Sequence, residues 1–167
     1  MAKLSISWRP ASIAHVARRR GAAAPDCGAP WPEANRLTEG DAIILANIAP
    51  EAALAISAHE DALWSDSLRA RIDSQATVTD QSGAYRVLRL EGDAARTLLA
   101  SGIFIDLDVA AFPPGAAAAV RCGHIAVILL HRADSTFEIL APRSYCASFL
   151  HWLNASATMR GLPAFKP

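Results

Sequence analysis

VTDQSGAYRVLRLEGDAARTLL, residues 78–99, holds the most readable local pattern in the chain. Two β-favouring runs, Ala76–Asp80 and Tyr85–Glu91, flank Gln81-Ser82-Gly83, a turn-forming triplet. Gly92-Asp93 then opens a helix through Ala94, Leu98 and Leu99, which Gly102 closes. A parallel crossover needs roughly a dozen residues or more, and these joins are shorter. The stretch therefore predicts an α+β single domain, a mostly antiparallel sheet with helices on one face.

The pattern continues on both sides. Downstream, a loop ends in Pro113-Pro114-Gly115, and Ala117–Arg121 with His124–His131 read as a hairpin around Cys122-Gly123. Thr136–Leu140 is a further strand. A last helix runs from about Pro142 to Ala157, with Tyr145, Phe149, Trp152 and Leu153 as one apolar stripe expected to be buried. Upstream, Ser57-x-x-Glu60 has the form of a capping box before a helix over Ala58–Ile72, whose Leu63, Trp64, Leu68 and Ile72 fall at helical spacing. Ala42–Ala46 and Ala52–Ile56 read as strands joined by Asn47–Pro50, although the helix formers of APEAALAI leave a helix open there. Residues 1–40 are punctuated by proline and glycine and read as a partly extended N-terminal arm. Within it, Ser12–Arg20 has the pattern of a short amphipathic helix. The expected division is an arm over 1–40, an α+β domain over 41–158 and a tail over 159–167.

Composition narrows the function classes. Hydrophobic residues make up 52% of the 167 and charged residues 19%, enough for a core and too apolar for a disordered chain. The formal net charge is +0, which argues against nucleic acid as a partner. Residues 1–40 carry six Lys/Arg against three Asp/Glu, concentrated in Arg18, Arg19 and Arg20, and this reads as a solvated helix end or arm. Three cysteines without a CxxC pair point to a reducing, cytoplasmic setting. The longest apolar run, Ile125–Leu130, falls far short of the roughly twenty residues of a membrane span.

No residue set in the sequence has the pattern of a catalytic, cofactor-binding or metal site, and all three are read as none. His124 and His131 lie an odd number of residues apart on a predicted strand, so they face opposite ways and should not share a metal. Asp106 and Asp108 are of the right type for a base or a ligand, but a turn-and-cap role is favoured in DLDVAAFPPG. Arg143-Ser144 could hold an anion at a helix start, with a partner carboxylate or a plain cap preferred. Trp152 reads as core or interface. GxSxG, GxGxxG, Walker-type and metal-spaced Cys/His motifs are all missing.

Residues 78–99, with V-x-D-x-S, a strand and L-x-G-x-D-A-x-x-L-L, resemble the N-terminal, folate-binding domain of the glycine-cleavage T-protein (aminomethyltransferase) family. GIFIDLDVAAFPPG at 102–115 resembles the pattern G-x-x-x-D-L-x-x-x-x-F-P-x-G of the sarcosine oxidase gamma subunit family, of the heterotetrameric type. GHIAVILLHR at 123–132 and FEILAPRSYCASFLHWL at 137–153 are similar to the same family's closing strands and helix. The likeness covers about 31–153. It departs from the family at Asn47–Glu51, where only the proline and an acid remain, which leaves the amine substrate of the parent enzyme open.

The resemblance implies a non-catalytic structural or assembly subunit of a flavin-dependent sarcosine oxidase or related N-methyl amine oxidoreductase. It implies partners in the larger subunits of that complex, chiefly the alpha-like one, with FAD, FMN, NAD and tetrahydrofolate held there and no cofactor in this chain. The alternative is a stand-alone folate-binding, aminomethyltransferase-like protein. It is disfavoured by length, because those proteins add domains to close the folate cavity.

Overall fold

The structure, a computed structural model, describes residues 4–162 and Phe165. The parts of the expected arm and tail at 1–3, 163, 164, 166 and 167 lie outside the described residues. Among the described residues the strands are β1 Ser5–Arg9, β2 Ile13–Arg18, β3 Leu37–Glu39, β4 Ile43–Ala49, β5 Ala52–Ser57, β6 Ala76–Asp80, β7 Tyr85–Glu91, β8 Ala117–Cys122, β9 Ile125–Ala133 and β10 Thr136–Pro142. The α-helices are α1 Trp64–Ile72, α2 Ala95–Leu99 and α3 Cys146–Met159. The strands form two five-stranded sheets, ordered β3-β4-β5-β2-β6 and β1-β7-β10-β9-β8. The chain divides accordingly into two compact units, Pro10–Tyr85 and Met1–Arg9 with Arg86–Pro167.

In the unit Pro10–Tyr85, β2 lies between β5 and β6 and pairs antiparallel with both. This corrects the helix expected over Ser12–Arg20. Alanine favours a helix only weakly, and two full ladders outweigh that preference. Ala14 and Val16 project to one side, where they meet Leu68 and Ile72 of α1. Arg18 ends the strand, 2.5 Å from Glu51, and stacks over Trp31 at 5.8 Å, so the basic run begins on a strand end. The β4–β5 hairpin turns at Pro50-Glu51, and the strand alternative is the correct one for APEAALAI. Asn47 is buried there. Its Nδ2 donates to the Ala49 carbonyl at 2.8 Å, and its Oδ1 accepts the Asn35 N–H at 3.1 Å.

The helix expected from Ala58 begins only at Trp64. Ser57 is not its cap: it is buried as the last residue of β5, where its hydroxyl oxygen accepts the Ser12 N–H at 3.1 Å and the His59 N–H at 3.2 Å. Asp61 takes over the turn, its Oδ1 accepting the Leu63 N–H at 2.9 Å. A serine consumed by a strand junction is unavailable to a helix N-terminus.

The unit built on β1-β7-β10-β9-β8 packs α2 and α3 against Leu88, Leu90, Val127, Leu129, Phe137 and Ile139. Helix α3 buries Cys146, Phe149, Leu153, Ser156 and Ala157, a stripe at spacings of three and four. Fully burying a side chain such as Phe149 or Leu153 contributes about 1.5–3 kcal/mol. The helix ends in a left-handed glycine cap. Gly161 has φ +67, its N–H bonds the Thr158 carbonyl, and the Leu162 N–H bonds the Ala157 carbonyl, each at 3.0 Å. The shared stripe of Tyr145, Phe149 and Trp152 is corrected at its first member. Tyr145 belongs to the 3-10 turn Arg143–Tyr145 and is 55% exposed, because the helix starts one residue later.

β6 and β7 have the bounds expected from the sequence, but they belong to different sheets and do not form a hairpin. Ser82 explains the break. It donates its N–H and its hydroxyl to the Asp80 carboxylate at 3.0 and 2.7 Å, and it accepts the Ile13 N–H at 2.9 Å. The segment therefore closes a turn against β2 rather than returning along β6.

Candidate functional site

The loop after α2, residues 103–112, is held from beneath by a pair of side chains that the sequence does not reveal as a pair. His131 on β9 is fully buried. Its Nδ1 lies 2.8 Å from the Phe112 carbonyl and its Nε2 lies 3.2 Å from a guanidinium nitrogen of Arg96. A carbonyl can only accept and a guanidinium can only donate. The ring is therefore the neutral tautomer with the proton on Nδ1. It stacks on Phe137 at 4.5 Å and 6° between planes, with Phe112 parallel at 6.0 Å. Arg96 also donates to the Leu107 carbonyl and lies over the Phe137 ring at 5.2 Å. Leu107 and Phe112 are thus tied through their carbonyls to a buried histidine and a half-buried arginine, while their side chains sit in the core.

Asp106 and Asp108 take the turn role expected of them. Asp106 Oδ1 accepts the Asp108 N–H at 2.8 Å, and Asp108 Oδ1 accepts the Ala110 N–H at 2.9 Å. Gly102 is pressed against Trp152, and a Cβ there would stand 2.3 Å from the indole Cζ2. Gly115 has φ +83 and donates its N–H to the His131 carbonyl at 2.7 Å. Each fixed position of G-x-x-x-D-L-x-x-x-x-F-P-x-G that can be followed in this way builds the loop.

His124 lies in the β8–β9 turn, exposed, while His131 is buried, so the structure does not bring the two together. Among the described residues no three His, Cys, Asp or Glu side chains converge as a metal site. Cys27, Cys122 and Cys146 are buried and free. Burial pushes the Cys27 thiol up to about 11, against the opposing pull of Arg71, and the Cys122 thiol up to about 12. Thiols in such surroundings are poor nucleophiles at neutral pH.

Glu138 of β10 is a second buried polar centre. It is 0% exposed and lies 3.0 Å from Arg9 Nε, 2.8 Å from Arg132 and 3.8 Å from Arg89, which itself pairs with Glu91 at 2.7 Å. β1, β7 and β9 each lend an arginine to a carboxylate on β10. The pairing joins strands across the sheet, and the residues that form it are spread over 129 positions of sequence. In the other unit, Cys27, Gly28, Asp41, Ile43, Trp64 and Arg71 surround an open cavity of about 370 Å³. Arg71 donates there to the Cys27 carbonyl, and a Cβ on Gly28 would meet its guanidinium at 2.9 Å.

His131, Asn47 and Ser57 thus bond backbone groups, and Glu138 faces arginines of three other strands. Residues 21–158 match the sarcosine oxidase, gamma subunit family, and the chain belongs to that family. No curated protein matches. A chain of the heterotetrameric sarcosine oxidase from Corynebacterium sp. U-96, solved with pyrrole 2-carboxylate, superposes with a TM-score of 0.84 at 18% identity, covering 98% of this chain and 88% of that one. The glycine cleavage system aminomethyltransferase T from Bartonella henselae superposes with a TM-score of 0.70 at 13% identity, covering 91% of this chain and 45% of that one. At these identities the likeness establishes the fold, an antiparallel α+β architecture shared with both. Among the described residues no helix is long and apolar enough to cross a membrane.

Proposed function

We propose that this chain is the non-catalytic, gamma-like assembly subunit of a multi-subunit, flavin-dependent sarcosine oxidase or a related N-methyl amine oxidoreductase in the cytoplasm. The family match over residues 21–158 carries the reading. The geometry of His131 supports it. By type this is the side chain best suited to proton transfer, yet it is enclosed and both ring nitrogens are engaged with Phe112 and Arg96. FAD, FMN, NAD and tetrahydrofolate belong, in this reading, to the larger subunits, and the alpha-like subunit is the chief partner. The stand-alone folate-binding reading rests on fold likeness to an aminomethyltransferase of which this chain spans 45%.

The test is a kinetic scan on the assembled complex, with assembly checked for every variant. Substitutions at Asp106, Asp108, His124 and His131 should leave turnover within about tenfold. A drop of roughly a thousandfold in an intact complex, the size typical of losing a transition-state donor, would place chemistry in this subunit and overturn the reading.

A further inference from the structure

The loop 103–112 turns its core-type residues both ways. Ile103, Leu107 and Phe112 are buried, whereas Phe104 is 86% exposed, Val109 53% and Ile105 39%. Three large apolar side chains within six residues are thereby presented to solvent. A phenylalanine can bury on the order of 150–250 Å² in a contact. Isolated exposed apolar residues need no explanation, but three on one ten-residue loop do.

The support beneath this tip is rigid. Ile103 is bridged to Cys122 and bonds the Leu99 carbonyl at 3.0 Å. Asp106 and Asp108 cap successive turns, and the Phe112 N–H returns to the Asp108 carbonyl at 2.7 Å. Arg96 and His131 hold the Leu107 and Phe112 carbonyls from inside. A loop ordered before contact loses little conformational entropy on docking, so its apolar area converts more fully into affinity. The carboxylates of Asp106 and Asp108 stand beside the tip and are exposed. An apolar knob with an acidic margin fits a hydrophobic pocket with a basic rim.

We propose that Phe104, Ile105 and Val109 form the anchor by which this chain docks on a larger subunit of its oxidase complex, with Phe104 inserted in an apolar pocket rimmed by Lys or Arg. The proposal rests on the assembly-subunit reading and deepens it. Arg96 and His131 are positioning residues for the anchor and touch the partner only through the loop they hold.

The experiment co-expresses the full chain with the larger subunits of a sarcosine oxidase-type complex from the same source. Assembly is measured by size exclusion with light scattering, and affinity by titrating purified chain into the remaining complex. Phe104→Asp should leave the chain's circular dichroism and melting intact and weaken association by roughly thirtyfold or more, the range of an interface hot spot. Met159→Asp, at a residue 81% exposed outside the loop, should assemble like the wild type. The pair Asp106→Asn and Asp108→Asn keeps the turn acceptors, and it should slow association and flatten its salt dependence. If wild-type chain assembles and Phe104→Asp assembles equally well, the docking surface is wrong while the subunit reading stands. If wild-type chain fails to assemble with any larger subunit, both fail. A homodimer of the isolated chain that Phe104→Asp dissolves, with the larger complex unaffected, overturns the proposal in favour of a second copy as occupant.

Discussion

Gly102→Ala should destabilise the unit that contains α3 by overpacking, and the size of the effect can be worked from one contact. The new methyl carbon would stand 2.3 Å from Cζ2, 2.9 Å from Cε2 and 3.0 Å from Cη2 of Trp152. Ordinary carbon contacts begin near 3.5 Å, so the ring or the backbone must move by about 1 Å. The ring has little room, because it packs on Phe149 at 5.9 Å, and Phe149 is fully buried. The backbone is tied as well: the Gly102 carbonyl accepts the Gly123 N–H at 2.8 Å, and its own N–H bonds the Leu99 carbonyl at 3.1 Å. Overpacking of this kind costs roughly 1–3 kcal/mol. Loss of glycine's freedom in the unfolded chain returns roughly 0.4–1 kcal/mol. The two combined leave a net destabilisation of about 0–2.6 kcal/mol, in the upper half of that range here because ring and backbone are both held. The assay is urea unfolding of the purified variants, read as a change of midpoint at constant slope. Trp152→Ala removes the obstacle, so the double variant should be more stable than the sum of the singles by about 1–3 kcal/mol. A neutral Gly102→Ala, or strict additivity in the cycle, would refute the contact as the cause.

The Glu138 cluster should respond asymmetrically to its two kinds of loss. Removing both Arg9 and Arg132 leaves the buried carboxylate with Arg89 alone, at 3.8 Å, and should cost on the order of 3–5 kcal/mol, more than Glu138→Gln, whose arginines can reach solvent; equal losses in urea unfolding would contradict this. Alkaline titration should find the Cys27 and Cys122 thiolates absent, by ultraviolet absorbance of the native chain, until pH approaches 11–12, whereas unfolded thiols ionise near the usual ~8.5. Because the folded pKa values are raised, this contribution to stability is complete below the unfolded value and is lost as pH rises towards the folded ones, and native thiolate signal from more than one of the three thiols at pH 9 would contradict it. Asp80 sits below the usual carboxylate range because the backbone N–H and then the hydroxyl of Ser82 bond it. Its contribution is present above the unfolded value and fades as pH falls through the folded one. In carboxyl NMR titration Ser82→Ala should raise the Asp80 pKa only part of the way, since the backbone bond survives; an unmoved value would exclude the hydroxyl as a cause.

What the sequence made legible follows the range of the interactions concerned. β6 and β7 were readable to the residue because each is a short β-favouring run between turn residues. Sheet membership was not, because the ladders that decide it join Ile6 to Leu90 and Val16 to Val78. The same limit misled the reading of Ile13–Arg18, where helix-favouring alanines sit in a central strand held on both sides. Ser57 misled it differently. A capping box is a local pattern, and the hydroxyl that completes it was already bound across 45 residues to Ser12.

The loop at 102–115 shows why the site was harder to read than the fold. The residues by which the family pattern is recognised face inward or cap turns: Gly102 against Trp152, Asp106 in its Asx turn, Leu107 and Phe112 in the core, Gly115 bonded to His131. A pattern made of such positions reports the shape of a support. Its open positions include Phe104, Ile105 and Val109, the side chains that reach outward. The pair that makes the support stiff, Arg96 and His131, lies 35 residues apart, on a helix and a strand, and neither residue type announces the other. The positions that carry the family pattern and the positions that face solvent are therefore separate sets within one loop, and the docking proposed for the tip depends on the second set alone.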